Sequence, residues 1–225
     1  TLDRSSAASD VYKRQPLLFA ITLSEAARGR VAYWLGDKTG WSMGRLSWNP
    51  ANHVSPIETI VIPLVMYFAT NGSFIFGNAK QIPIDYRNLG NSKRNAVWLE
   101  LSRPLALLAM AWLWLVGLML LRAADVTEPF VLGVCRAGIF VCLSLFAFQL
   151  LPVPPLAGGR ILLFTLPYKY AVSFAKIESW SVWIILLLAI AGVLGPLWLS
   201  PITQLGLALL QLLTAPLSFL SLIHI

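Results

Sequence analysis

Four stretches of this chain, residues 97–121, 130–151, 180–199 and 202–222, are long, apolar and almost free of charge. Each is close to the ~20 residues that cross ~30 Å of hydrocarbon at 1.5 Å per residue. Two weaker runs, 16–35 and 57–76, are interrupted by polar residues or by Pro63 and Gly72. The pattern predicts an all-α polytopic membrane protein of about six membrane segments. A soluble helical bundle would need charged faces recurring at the helical period, and these runs have none. Composition agrees: 12% of residues are charged and 57% hydrophobic, where a soluble domain carries about 25% charged residues.

The formal charge of +7 lies mostly between the apolar runs. A nucleic-acid binder gathers Lys and Arg on one face of a soluble domain; here they flank membrane spans, so the expected partner is the lipid bilayer and not nucleic acid. Residues 79–104 are the richest, with Lys80, Arg87, Lys93, Arg94 and Arg103, and the excess places them on the cytoplasmic side. Lys38 and Arg45 are too few to assign a side to residues 36–54. Cys135 and Cys142 are seven apart on one predicted span, about 10 Å along the helix. A disulfide needs Cα atoms within about 7 Å, so they read as packed thiols.

Both ends stand apart. Residues 1–15 are polar and patternless, and the chain closes Ser-Leu-Ile-His-Ile; both resemble translated adaptor sequence. Residues 1–15 and 221–225 are therefore expected to be non-native tails around a single transmembrane domain, 16–220. Pro16 would then lie inside a helix whose beginning is missing, and His224 would carry no meaning, leaving His53 as the one native histidine.

Along the chain, 16–35 reads as a helix bearing the polar cluster Ser24-Glu25-Ala26-Ala27-Arg28-Gly29-Arg30. Residues 36–56 form a polar connection with Trp41 and Trp48 suited to the membrane interface, and 57–76 a short or re-entrant helix. Residues 81–85 alternate as an extended hairpin edge would. The helix from Trp98 is expected to kink or begin at Pro104. Gln149 through Arg160, with Pro152, Pro154 and Pro155, breaks the run before it, and irregular backbone at membrane depth survives only when buried in protein or lining a cavity.

Several of these segments together resemble the site-2 protease family, the intramembrane zinc metalloproteases, nearly collinearly from about residue 21 to 167. Ile21-Thr22-Leu23-Ser24-Glu25-Ala26-Ala27-Arg28-Gly29 is similar to the family's His-Glu-x-x-His helix. Asn49-Pro50 through His53 resembles its Asn-Pro-x-x-His loop, and Phe76-Gly77-Asn78-Ala79-Lys80-Gln81-Ile82-Pro83 its Phe-Gly-x-Ala-Lys-x-x-Pro segment. Arg103-Pro104 stands where the family has Ala-Gly-Pro-x-x-Asn, and Leu156-Ala157-Gly158 looks like its Leu-Asp-Gly motif. The resemblance implies a site-2 protease-like core in a bacterial inner membrane, with residues 24–28 brought close to residues 155–158.

In the family, two His at i and i+4 and a distant Asp hold zinc, and the Glu beside the first His acts as general base on zinc-bound water. The matching ligand positions here are Ser24, Arg28 and Ala157. Serine is a poor neutral ligand, arginine is a fixed cation without a lone pair to offer, and alanine has no donor atom. Accessory positions change too: the family's Gly falls on Arg103, its Asn on Leu107, and the Asn before Leu-Leu-Pro on Gln149. Glu25 alone survives, as a vestigial general base, and no zinc or other cofactor is expected. Its other reading is an ion pair with Arg28, three residues on, the expected way to keep two charges on a membrane helix. His53 matches a position outside the metal triad and reads as a structural hydrogen-bonder. Ser24 as a nucleophile lacks a base, since Glu25 points about 100° away around the helix.

The resemblance thus implies a catalytically inactive member, a pseudoprotease that binds or shields membrane segments of partner proteins. The alternative is an active intramembrane zinc protease. A transporter or channel lacks support, because the spans hold almost no polar residues to line a path.

Overall fold

The computed structural model describes residues 2–46, 61, 81–90 and 93–222. The described elements, apart from short turns, are α1 (Leu2–Trp34), α2 (Thr39–Ser42), α3 (Lys93–Ala123), α4 (Pro129–Gln149), α5 (Ala157–Thr165), α6 (Tyr168–Ala175), α7 (Ser181–Ile190) and α8 (Ser200–Leu222). No strand occurs among the described residues.

Among the described residues, four helical segments are long and apolar enough to cross a membrane: Lys93–Ala123, Pro129–Gln149, Tyr168–Ile190 and Gly195–Ala215. This corrects the reading of 180–199 as one span. α7 stops at Ile190, Gly192 takes a left-handed φ of 68°, and Gly195–Leu199 winds as a wide π turn into α8. Apolar counting cannot see that break; Gly192 tolerates φ > 0 and Pro196 has no N–H for the helix ladder. The third span instead begins twelve residues earlier, with α6 and α7 joined through the 3-10 turn Lys176–Trp180.

The helix does not begin at Pro104, one of the two outcomes expected there: α3 starts at Lys93 and carries Pro104 inside its 31 residues. At 1.5 Å per residue it is about 46 Å long, longer than ~30 Å of hydrocarbon, so it tilts or projects. α4 starts with Pro129 in the first turn, where the missing N–H costs no helical bond. Residues 2–15, expected as a tail, continue into Pro16–Trp34 as one helix. Residues 81–85, expected as a hairpin edge, form no strand; Asp85 at their end has an extended backbone. The run 57–76 (Val61 apart), the loop carrying Asn49 and His53, residues 76–80 and His224 lie outside the described residues.

Among the described residues α3 and α4 form the most extensive helix pair, and α1 packs against both. Their shared core contains Ala20, Leu107, Ala111, Cys142, Leu143 and Phe146, with Leu210 of α8 added at one side. Gly138 lets α4 approach closely, because a Cβ there would lie 2.5 Å from the Trp114 indole of α3; small residues serve this purpose at membrane helix interfaces. Cys135 and Cys142 are free and buried, as packed thiols should be.

Candidate functional site

One turn beyond that apolar core, α1 and α3 meet through charge. Each helix carries the tetrad Glu-x-x-Arg: Glu25-Ala26-Ala27-Arg28 on α1 and Glu100-Leu101-Ser102-Arg103 on α3. A spacing of three sets both members on one helix face. Across the interface the tetrads pair reciprocally. Arg103 Nη2 makes a very short contact to Glu25 Oε2, and Arg28 Nη2 donates to Glu100 Oε1 at 3.0 Å. Position 25 thus faces 103 and 28 faces 100, so the helices are antiparallel here. Within α1, Arg28 Nη1 also reaches Glu25 Oε1 at 3.3 Å, the pair that the spacing predicts. All four side chains are buried, none more than 3% exposed.

The segment 81–85 closes one side of this layer. Ile82 donates its backbone N–H to Glu25 Oε1 at 2.7 Å, and its side chain fills the space that Gly29 and Gly40 leave open; a Cβ on Gly29 would stand 2.5 Å from Ile82 Cδ1. The following 3-10 turn, Tyr86–Leu89, delivers Tyr86. Its hydroxyl donates to Glu100 Oε1 in a very short bond, and accepts from Arg28 Nη2 at 3.1 Å and Arg160 Nη1 at 2.6 Å. Burial, followed by the Glu100 carboxylate, raises the Tyr86 phenol above its ordinary range, so it stays protonated and able to donate.

Asp37, just past α1, anchors that turn. Its carboxylate accepts from Thr39 Oγ1 at 2.5 Å, Thr39 N at 3.1 Å, Asp85 N at 3.1 Å and Asn88 Nδ2 at 3.0 Å. Burial raises its pKa, but these bonds outweigh burial and hold it below the ordinary carboxylate value.

From the other side comes the turn after α4. Its backbone folds so tightly onto α5 that a Cβ on Gly158 would stand 2.6 Å from Leu151 O, and one on Gly159 2.7 Å from Val153 O. Ala157 opens α5 fully buried. One turn on, Arg160 reaches Glu100 Oε1 at 3.7 Å and Glu178 at 3.9 Å. The segments around Ser24–Arg28, Arg103 and Ala157–Arg160 therefore converge on Tyr86 and Glu100. The spacing-based reading found the Glu25–Arg28 pair. It missed Glu100, Tyr86 and Arg160, although a lone carboxylate in the apolar run 97–121 calls for a cationic partner, and the repeated Glu-x-x-Arg tetrad marked where to look.

The side chains at the three positions that the resemblance matches to metal ligands are not a donor set for zinc. Ser24 Oγ donates to Ile21 O at 2.9 Å within its own helix. The Arg28 guanidinium has no lone pair for a metal, and Ala157 has no donor atom. Both Glu25 oxygens are already bonded, to Arg28, Arg103 and Ile82 N. No group of three or more His, Cys, Asp or Glu side chains able to hold a metal occurs among the described residues. Of the accessory positions, Leu107 lies in the apolar core, and Gln149 is buried with no partner for its Oε1 among the described residues.

A curated relative, the "Putative zinc metalloprotease YwhC" of Bacillus subtilis (strain 168), is 30% identical over 195 residues, which cover 84% of this chain and 84% of the relative. No family model matches the chain, and no solved structure matches it.

Proposed function

This chain belongs to the site-2 protease-like family of membrane proteins, and from that premise we propose that it is an inactive member, a pseudoprotease whose scaffold binds or shields membrane segments of partner proteins. The observation that carries this reading is the state of Glu25. A general base needs a free carboxylate oxygen and a polarised water, and here two guanidinium groups and a backbone N–H occupy the carboxylate. Cationic side chains stand beside Glu25 where the family has a cationic metal, so charge balance at the site survives without chemistry. The α1–α3 helix pair and the segment 81–85 beside it are the elements that would receive a partner segment.

The test is metal stoichiometry. Protein purified in detergent and equilibrated with zinc should hold far less than one zinc per chain and should leave a membrane-segment reporter peptide uncleaved. Stoichiometric zinc that disappears on Glu25→Ala, together with cleavage of the reporter, would establish the active protease instead.

A further inference from the structure

Away from the ionic layer, α4 and α8 leave an open groove of about 300 Å³ between them. Its floor and walls are apolar, formed by Ile139, Phe140, Leu143 and Leu207, and its polar members are Arg136, Thr203 and Gln204. We propose that this groove is a binding site for an anionic phospholipid, with the phosphate on Arg136 and an acyl chain along Phe140, Leu143 and Leu207.

Arg136 is the reason. It is exposed on a membrane-spanning helix, and among the described residues it has no hydrogen bond or ion pair. The other arginines on or beside the helix interfaces, Arg28, Arg103 and Arg160, are all paired with carboxylates. An unpaired charge on a membrane helix is costly and calls for a counter-ion. Arg136 lies seven residues into α4, about 10 Å from its N-terminal end, on a helix about 31 Å long. Helical side chains lean toward the N-terminus, so the guanidinium snorkels toward the nearer membrane boundary, where lipid phosphates lie. That depth favours a headgroup over an acidic residue of a second membrane helix at mid-bilayer. Gln204 supplies a further donor, because its Nε2 makes only a weak contact of 3.4 Å to Ser200 Oγ. A basic pocket between membrane helices with an apolar floor is the shape in which anionic headgroups are held.

The experiment is native mass spectrometry of the full chain in detergent, delipidated and then titrated with phosphatidylglycerol or phosphatidylcholine of identical acyl chains. The expected result is retained phosphatidylglycerol at about fivefold tighter affinity than phosphatidylcholine, the difference worth about 1 kcal/mol for one arginine at an anionic surface. Arg136→Gln should remove the preference and Arg136→Lys should keep most of it, which separates loss of charge from loss of fold. Leu207→Trp, which fills the groove while leaving the charge, should lower retention of both lipids. Equal retention of the two lipids by the native protein would overturn the proposal. So would unchanged retention in Leu207→Trp, which would mean that surface charge alone attracts the lipid. A dimer lost on Arg136→Gln would overturn it in favour of a second copy of the chain.

Discussion

Helices α1 and α3 meet in two contrasting ways within a few turns. At Ala20, Leu107 and Ala111 the contact is wholly apolar; at Glu25, Arg28, Glu100 and Arg103 it is wholly ionic; and at Ala32 and Leu99, joined by Leu89, it is apolar again. The apolar layers associate by packing, and in lipid they gain nothing from water exclusion. The apolar contact at Ala20 would tolerate a slip of one turn along α3, because Ala20 would then meet Ala111 and Leu115. The ionic layer would not. A one-turn slip would place Glu25 opposite Leu107 or Leu99 and strand charges on both helices. The difference teaches that the charged layer specifies register where the apolar layers cannot, a role with precedent for buried polar groups in helix bundles.

The largest effect should come from breaking the ionic layer on one side only. Glu25→Ala leaves Arg103 without its carboxylate and Arg28 with one of its two carboxylate partners, and removing one member of a buried pair costs about 3–5 kcal/mol. Thermal unfolding in detergent should show a large loss, with part of the protein aggregating on size exclusion. Glu25→Ala combined with Arg103→Met should recover part of that loss, since the stranded cation goes too. Strict additivity of the two single losses would show that the pair is not coupled.

The apolar layer should respond less. Leu107, 1% exposed, should cost about 3 kcal/mol as Leu107→Ala through the cavity left behind. Here no second change across the interface should rescue it except a larger side chain, for instance Ala20→Leu. Rescue of Leu107→Ala by a polar substitution at position 20 would break the distinction between the layers.

How far the sequence foretold this arrangement depends on the range of the interaction. The membrane class, the spans of α3 and α4, the buried thiols and the Glu25–Arg28 pair were all legible, because each is a matter of local periodicity or composition. Glu100 and Tyr86 lie 72 and 58 residues from Arg28, a separation over which periodicity carries no signal. The misplaced span at 180–199 failed for a different reason. Hydropathy weighs side chains, whereas the break there is a backbone event at Gly192 and Pro196. The ligand positions Ser24, Arg28 and Ala157 came from motif resemblance. The carboxylate contacts that accommodate the arginines join residues as far as 78 positions apart in the chain.

Outside the bilayer, the Asp37 anchor sets a smaller and pH-dependent effect. A carboxyl group whose folded pKa is depressed contributes stability in full above its unfolded value, about 3.9, and loses that contribution as pH falls through the lower folded value. At neutral pH the anchor should therefore be complete, and below about pH 4 the turn carrying Tyr86 should loosen. The readout is hydrogen exchange of the Asp85 amide, which donates to Asp37 Oδ2. Its protection should fall with acid in the native protein. In Asp37→Asn it should be lower at neutral pH, by about 1.5 kcal/mol for a bond to a charged acceptor, and flat with acid. Protection in the native protein that rises as pH falls would mean that the carboxylate is not what holds the turn.

The smallest effect should have the opposite sign, and it concerns Gln149, where the family resemblance and the packing point different ways. Gln149 ends α4, is 6% exposed, and has a buried Oε1 with no partner among the described residues. A buried acceptor left unpaired lowers stability, whereas an apolar group of similar shape is neutral or stabilising in its place. Gln149→Leu should accordingly raise the unfolding midpoint slightly, by up to about 1 kcal/mol. If Gln149 keeps the polar role of the family's Asn at this position, it does so for an incoming partner segment, to which the orphaned carbonyl would accept a bond. The two explanations separate in one variant. A protein more stable than native with unaltered capture of a defined membrane-segment peptide makes the residue a packing compromise at the helix end. Higher stability with weakened capture makes it a recognition residue. A loss of stability would contradict both, because it would mean that Oε1 is bonded in solution, and the end of α4 would then need a different polar account from the ionic layer beside it.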